Sequence, residues 1–121
     1  MYKIFLKEED LLKAEHFPVI ALLNEASNSN VIEFVENLCE GIGTGYDFSS
    51  CLFWNDFDEY DQVNMEKFDG LLITNEAGDE IIISKQELKH YLEILYNRLS
   101  DDHFNNIHEL RKLLDKFEVG I

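Results

Sequence analysis

Lysine and arginine are absent from a long internal interval of this chain. Residues 14–66 contain neither residue type, and the whole chain of 121 residues has a formal net charge of −15. Carboxylates in such an interval must lie in water or against a cationic partner, because burying an unpaired charge is costly. The resulting field favours a basic partner and repels nucleic acid and anionic membranes, although acidity also serves solubility alone. The eleven carboxylates of the interval are Glu15, Glu25, Glu33, Glu36, Glu40, Asp47, Asp56, Asp58, Glu59, Asp61 and Glu66.

Length and hydrophobic content bound the class of protein. A hydrophobic fraction of 45% in 121 residues supports one modest core, and we expect a single domain over residues 1–121. No apolar run approaches the ~20 residues of a membrane span, and the N-terminal residues lack a signal-peptide pattern. A cytoplasmic location is therefore expected. In that compartment, Cys39 and Cys51 are predicted to be buried free thiols rather than a disulfide or a metal site.

Three helices are predicted before residue 42. Residues 8–15 have acidic residues in a first helical turn. Pro18 suits the first turn of a second helix, where its fixed φ is favourable. The clearest helix starts at Val31, after Asn30 as its N-cap, and ends at Gly41; its apolar residues follow helical spacing.

From Ser49 onward the apolar pattern is typical of strands rather than helices. Residues 75–80 contain Gly and Asp, which suit a hairpin loop between the last two strands. We expect a three-stranded antiparallel meander. Its strands are predicted at residues 49–57, 67–74 and 80–84.

Two helices are predicted to close the chain. Ser84 and Glu87 form a capping-box pattern that opens the first of them, and residues 100–117 form the second. The order of helices, strands and helices predicts an α+β fold. In this fold a small three-stranded antiparallel sheet has the N-terminal and C-terminal helices packed on it.

The sequence offers no convincing catalytic, metal or cofactor site. The glycines of residues 41–47 are spaced G-x-G-x-G and follow a helix, so they do not match a phosphate-binding loop. Asp56, Asp58 and Asp61 resemble the start of a calcium loop, but Asp61 replaces the required glycine and Lys67 the required glutamate. The four histidines form no metal-binding motif. We therefore expect neither an enzyme nor a protein with a bound metal or cofactor.

Aromatic rings and carboxylates share the segment FWNDFDEYDQ, residues 53–62. Aromatic side chains surrounded by charge are typical of protein-recognition surfaces. If the strand continued to Phe57, Trp54 would share a face with Asp56 and Asp58; alternatively, Trp54 packs beneath the N-terminal helices. The candidate partner-binding residues are Trp54, Asp56, Asp58, Glu59 and Asp61, together with Glu36, Glu40 and Asp47.

Several short motifs between about residues 18 and 95 occur in an order that resembles a known family. They include a helix with Glu36-Asn37 followed by Gly41 and Gly43, the strand start Ser50-Cys51-x-Phe53 and the acidic Asp56-x-Asp58-Glu59. Later come Asp79-Glu80-Ile81 and a helix with Ser84, Glu87, Tyr91 and Leu92. These motifs are similar to those of the immunity proteins of bacterial contact-dependent growth inhibition (CDI) systems, in the group paired with ribonuclease toxins. An extra glycine in GTG and a single acidic residue before EIIIS are small departures.

The resemblance implies a function through binding. The protein would have no activity of its own and would block the RNA site of the C-terminal ribonuclease toxin domain of a cognate effector. Its partner would be a basic nuclease domain in a 1:1 complex with a monomer, with no direct contact with nucleic acid or membrane. The main alternative is a small acidic secretion chaperone, which would hold an unfolded effector segment in an apolar groove.

Overall fold

A four-stranded antiparallel sheet and five α-helices form the fold in the computed structural model, which describes residues 2–117. The strands lie side by side in chain order, and each neighbouring pair is antiparallel. The α+β class is therefore confirmed, but the sheet has four strands rather than three. The elements are α1 Pro18–Asn28, α2 Val31–Cys39, β1 Thr44–Gly45, β2 Ser49–Leu52, α3 Glu59–Val63, β3 Leu71–Asn75, β4 Glu80–Ile83, α4 Lys85–Asp101 and α5 Ile107–Lys116.

The additional strand comes from the glycine-rich loop after α2. Thr44 pairs with Cys51 and Gly45 pairs with Ser50, which places β1 at the edge of the sheet. A strand of two residues is too short to show the alternation of polar and apolar side chains that identifies strands in a sequence. The prediction that strands begin only at Ser49 was therefore wrong.

Strand β2 ends at Leu52, so the strand predicted for residues 49–57 was too long. Asp56 Oδ2 accepts a hydrogen bond from the backbone N–H of Phe53 at 2.6 Å, and a 3-10 turn follows at Trp54–Asp56. Such a local side-chain bond gives the backbone an alternative to pairing in the sheet. The alternating faces predicted for residues 53–58 consequently do not exist.

The helix predicted at residues 8–15 is replaced by two 3-10 turns, Glu8–Asp10 and Ala14–His16. Between the turns, the backbone N–H of Leu12 donates a hydrogen bond to the hydroxyl oxygen of Tyr91 at 2.8 Å. That bond to α4 takes the place of a helical one, so a tertiary contact overrides the local helix propensity.

Two further boundaries differ from the prediction. The strand predicted at residues 67–74 begins only after Gly70, whose φ of 85° lies in the left-handed region. The last helix, predicted at residues 100–117, begins at Ile107 because His103 adopts a φ of 59° and interrupts the helical path.

Three of the five predicted helix starts are confirmed, those of α1, α2 and α4. Pro18 occupies the first turn of α1, and Asn30 Oδ1 accepts a hydrogen bond from the N–H of Glu33 at 3.1 Å at the start of α2. At α4, Ser84 and Glu87 each accept a bond from the other's backbone N–H, both at 3.0 Å, as a capping box requires.

The buried apolar side chains form one continuous core between the sheet and the helices. Helix α1 packs against β2 and β3, whereas α5 packs mainly against α2 and α4. The predicted packing of the C-terminal helices on the sheet is thus only partly right. Asn24 ties the N-terminal segment to α1, because its Oδ1 accepts the N–H groups of Phe5 and Leu6 at 2.8 and 2.9 Å.

Candidate functional site

The carboxylates of residues 14–66, named here the acidic interval, make no ion pair within the described residues 2–117. The ion pairs that do form all use carboxylates from other parts of the chain. Those pairs are Lys3–Asp102, Lys13–Glu87, His16–Glu87, Arg98–Asp10, Arg111–Glu93 and Arg111–Asp115. The negative charge of the acidic interval is therefore not neutralised by these partners, and apart from the buried Glu25 its carboxylates remain available to another molecule.

Residues 56–61, named here the acidic turn, join the 3-10 turn to helix α3. Asp58 caps α3, since its Oδ1 accepts the backbone N–H of Asp61 at 2.8 Å. Gln62 Nε2 donates to the carbonyl oxygens of Trp54 and Phe57, both at 3.1 Å. Residues 59–63, for which no helix or strand was predicted, are therefore helical, and the carboxylates of the acidic turn sit on a backbone that side chains hold in place.

Trp54 supports the acidic turn from one side. Its half-buried ring packs edge-on against Phe68, with 5.6 Å between ring centroids, and at a tilt against Phe57 at 6.4 Å. These aromatic contacts contribute beyond the apolar area they bury. Trp54 therefore belongs to a local aromatic cluster, and the alternative that it packs beneath the N-terminal helices is wrong.

A cavity lined by two lysine side chains lies beside Trp54. This cavity has a volume of about 290 Å³ and is lined by Trp54, Phe53, Lys67 and Lys85, among others. The ammonium group of Lys85 lies 5.7 Å from the centroid of the Phe53 ring, a cation–π distance. This cavity marks an edge of the acidic surface.

Glu36 lies exposed on helix α2, and the exposed Glu40 directly follows the last residue of this helix, on the same side as Glu33. With 1.5 Å of rise per residue, Glu33 and Glu40 are about 10 Å apart along the helix. A groove of about 440 Å³ separates this face from α5, where Lys116 lines it. The loop after α2 then passes close to Asp56, because a Cβ built on Gly43 would lie only 2.7 Å from Asp56 Oδ2. The structure thus brings the loop that follows this acidic face near the acidic turn.

Asp47 lies apart from the other candidates. It is in the turn between β1 and β2, which precedes the first residue of β2, whereas Phe53 follows the last residue of β2. The four residues of β2 between these two ends span about 13 Å. The buried carboxylate of Glu25 anchors this turn by accepting the N–H of Phe48 at 3.0 Å and the hydroxyl of Ser49. Asp47 is therefore not grouped with the acidic turn.

Two exposed apolar residues of the site were missed by the sequence reasoning. Tyr60 and Val63 on α3 are 76% and 82% exposed. They were not among the candidate partner-binding residues, because no helix was predicted between the first two strands. The available signal was Asp58 as an N-cap, followed by two apolar residues at the i, i+3 spacing of one helix face.

The thiols do not suit nucleophilic chemistry. Cys51 is buried, and burial raises its pKa to about 11; burial also raises the pKa of the half-buried Cys39. Both thiols stay protonated at neutral pH, whereas the thiolate is the reactive form.

Across residues 2–117, no group of three His, Cys, Asp or Glu side chains could hold a metal ion. No helix in the described part of the chain is long and apolar enough to cross a membrane.

Comparison with protein-family models identifies the family to which the chain is similar. A family model described as CDI immunity protein matches residues 8–114, from the first 3-10 turn into helix α5. No curated protein matches the chain.

Proposed function

Because the chain belongs to the CDI immunity protein family, we propose that it neutralises the C-terminal ribonuclease toxin domain of a cognate CDI effector by covering the RNA site of that domain. It acts as a monomer in a 1:1 complex in the cytoplasm and catalyses no reaction itself. Membership of this family favours immunity over the alternative of a secretion chaperone.

The unpaired charge of the acidic interval carries this proposal. A ribonuclease must present cations to hold the phosphates of RNA, and an array of carboxylates can occupy the same cations. Since no internal ion pair of residues 2–117 uses these carboxylates, binding the toxin breaks none of those pairs. The field of such a surface also accelerates the encounter with a cationic partner.

The acidic turn and Trp54 form the centre of the proposed interface. Asp56 and Asp58 each use a carboxylate oxygen for a backbone N–H, which fixes their direction. Glu36 and Glu40 extend the surface along α2, and Asp47 is a peripheral contact because the sheet separates it from the acidic turn.

The test is neutralisation of the four carboxylates of the acidic turn. Asparagine and glutamine keep an acceptor oxygen, so the two backbone bonds persist and the fold is retained. The affinity for the toxin domain should fall by several kcal/mol, since one close charge pair carries roughly 1.5–7 kcal/mol of coupling. Cells that make the variant should lose resistance to the toxin. The substitutions are Asp56→Asn, Asp58→Asn, Glu59→Gln and Asp61→Asn.

A matched control removes the same number of charges elsewhere. The control variant changes exposed carboxylates that also make no ion pair within residues 2–117. Its net charge therefore equals that of the acidic-turn variant, and only the location of the removed charges differs. This control should retain protection. The substitutions are Glu76→Gln, Glu80→Gln, Asp101→Asn and Glu109→Gln.

Full resistance and unchanged affinity of the acidic-turn variant in titration calorimetry would move the interface to Glu33, Glu36, Glu40 and Asp47.

An RNA-cleavage assay tests the nature of the toxin separately: the toxin domain should cut RNA, and the wild-type chain should stop it. Size-exclusion chromatography with the folded toxin domain should show a 1:1 complex, whereas a secretion chaperone would bind only an unfolded segment.

A further inference from the structure

Helix α3 is fixed at the surface although none of its residues is buried. An isolated helix of five residues is unstable in water. Here side chains hold it: Asp58 caps the start, Asn64 Nδ2 donates to the carbonyl oxygen of Tyr60 at 2.8 Å, and Gln62 donates to two carbonyls of the preceding segment. The chain therefore orders a helix that adds nothing to its hydrophobic core.

The apolar residues of α3 point away from the protein. At 100° per residue, Tyr60 and Val63 lie about 60° apart on the helix, and their shared direction is about 130° from Gln62, which bonds inward. Tyr60 and Val63 are 76% and 82% exposed, more than any other large apolar side chain in residues 2–117. Exposed apolar residues on an ordered element, next to charge, are characteristic of binding surfaces.

We propose that Tyr60 and Val63 are the apolar anchor of the toxin interface and enter an apolar depression on the toxin domain that is rimmed by Lys and Arg. This inference rests on the proposed function. The charge around the anchor selects the occupant, because Asp58, Glu59 and Asp61 flank it and make no ion pair within the described chain. A second copy of this chain, with its net charge of −15, is repelled from the same surface.

Charge and apolar contact then act on different steps of binding. The carboxylates act at a distance and raise the association rate, whereas a buried aromatic anchor acts only in the complex and slows dissociation. Because α3 is already ordered, little conformational entropy is lost when the anchor docks.

The test is the double variant Tyr60→Ser/Val63→Ser, measured by biolayer interferometry against the immobilised C-terminal toxin domain of the cognate CDI effector. The matched control is Tyr2→Ser/Ile4→Ser, since Tyr2 and Ile4 are also a tyrosine and a β-branched residue and are 54% and 55% exposed. The α3 variant should bind about thirty-fold more weakly or worse, as for an interface hot spot. The loss should appear in the dissociation rate, with the association rate changed by less than about two-fold.

Two further measurements make the result decisive. The melting temperature of the α3 variant should equal that of the wild type, because the replaced side chains are exposed. In the wild-type chain, hydrogen exchange of the α3 amides should slow by about ten-fold or more on binding the toxin domain. Unchanged dissociation of the α3 variant, or unchanged exchange in α3, overturns the placement of the anchor while the proposed function stands. Absence of binding by the wild-type chain overturns both.

Discussion

A single glycine decides how closely the loop after α2 approaches the acidic turn. A Cβ on Gly43 would lie 2.4 Å from the carbonyl oxygen of Cys51, closer than real Cβ contacts, whereas a Cβ on Gly45 would meet nothing nearer than 4.0 Å. Gly43→Ala should therefore lower the free energy of unfolding by about 1–3 kcal/mol, the usual cost of overpacking. Gly45→Ala, two residues away, should change it by less than about 0.5 kcal/mol. Urea denaturation of both variants measures the difference, and equal effects would show that the approach at Gly43 is not tight.

Residue identities alone could not reveal the double role of Asp56 and Asp58. Their number and spacing predicted carboxylates that face a partner, and both are indeed exposed. The structure adds that each also accepts a backbone N–H, at 2.6 and 2.8 Å, and so shapes the turn that carries it. Whether an aspartate caps a helix or stays free depends on the path of the backbone, which a short acidic segment leaves undetermined.

Among the helices, α4 has the most complete start. Ser84→Ala removes the acceptor for the N–H of Glu87 and should cost about 1 kcal/mol of folding free energy. Ser100→Ala, at an exposed position near the other end of α4, is the control and should be close to neutral. Urea denaturation monitored by circular dichroism compares the two. Equal destabilisation would mean that the capping box contributes no more than an exposed serine.

Elements with local start signals were predictable, and elements set by distant contacts were not. Pro18, Asn30 and Ser84 each lie within three residues of the groups they organise, so the sequence around them was sufficient. The conformation of residues 8–15 depends instead on Tyr91 of α4, whose hydroxyl oxygen accepts a hydrogen bond from the N–H of Leu12, 79 positions away in the chain. Helix α3 is an exception: Asp58 is a local start signal, but five residues are too few to show a clear helical pattern, and nothing in its own sequence reports the two carbonyls that Gln62 reaches.

At the scale of the whole molecule, three carboxylates with hydrogen-bond or ion-pair partners link the stability of the fold to pH. The Arg98 guanidinium lowers the pKa of Asp10, hydrogen bonds with Ser84 lower that of Glu87, and the Arg111 guanidinium lowers that of Glu93. A carboxyl group whose pKa is lower in the folded state than in the unfolded state stabilises the fold at pH values above its unfolded-state pKa. This stabilisation is lost as the pH falls through the folded-state pKa.

The melting temperature should therefore fall as the pH is lowered below about 4, where these carboxyls become protonated. The variant Asp10→Asn/Glu93→Gln lacks two of the titrating groups, so its melting temperature should be lower at pH 7 and should depend less on pH below 4. Differential scanning calorimetry from pH 7 to pH 3 measures both profiles. Parallel profiles would show that these ion pairs do not govern acid unfolding.

Salt should act on the acidic interval as a whole. Between 0.01 M and 1 M ionic strength the screening length falls from ~30 Å to ~3 Å, so the association rate with the toxin domain should drop by about an order of magnitude or more. Stopped-flow measurements give this rate. The Tyr60→Ser/Val63→Ser variant should show the same dependence, because it keeps every carboxylate. An association rate that does not change with ionic strength would exclude electrostatic steering.

The absence of buried residues in α3 has an evolutionary consequence. A new side chain at an outward position of α3 removes no core contact, so under the proposed function selection at that position comes from the toxin. A few substitutions at positions 59, 60, 61 and 63, which leave Gln62 and its two hydrogen bonds in place, are then enough to follow a changing toxin or to adopt a different one. Lineages of this protein are expected to keep the sheet and α4 while they diverge fastest along one short helix.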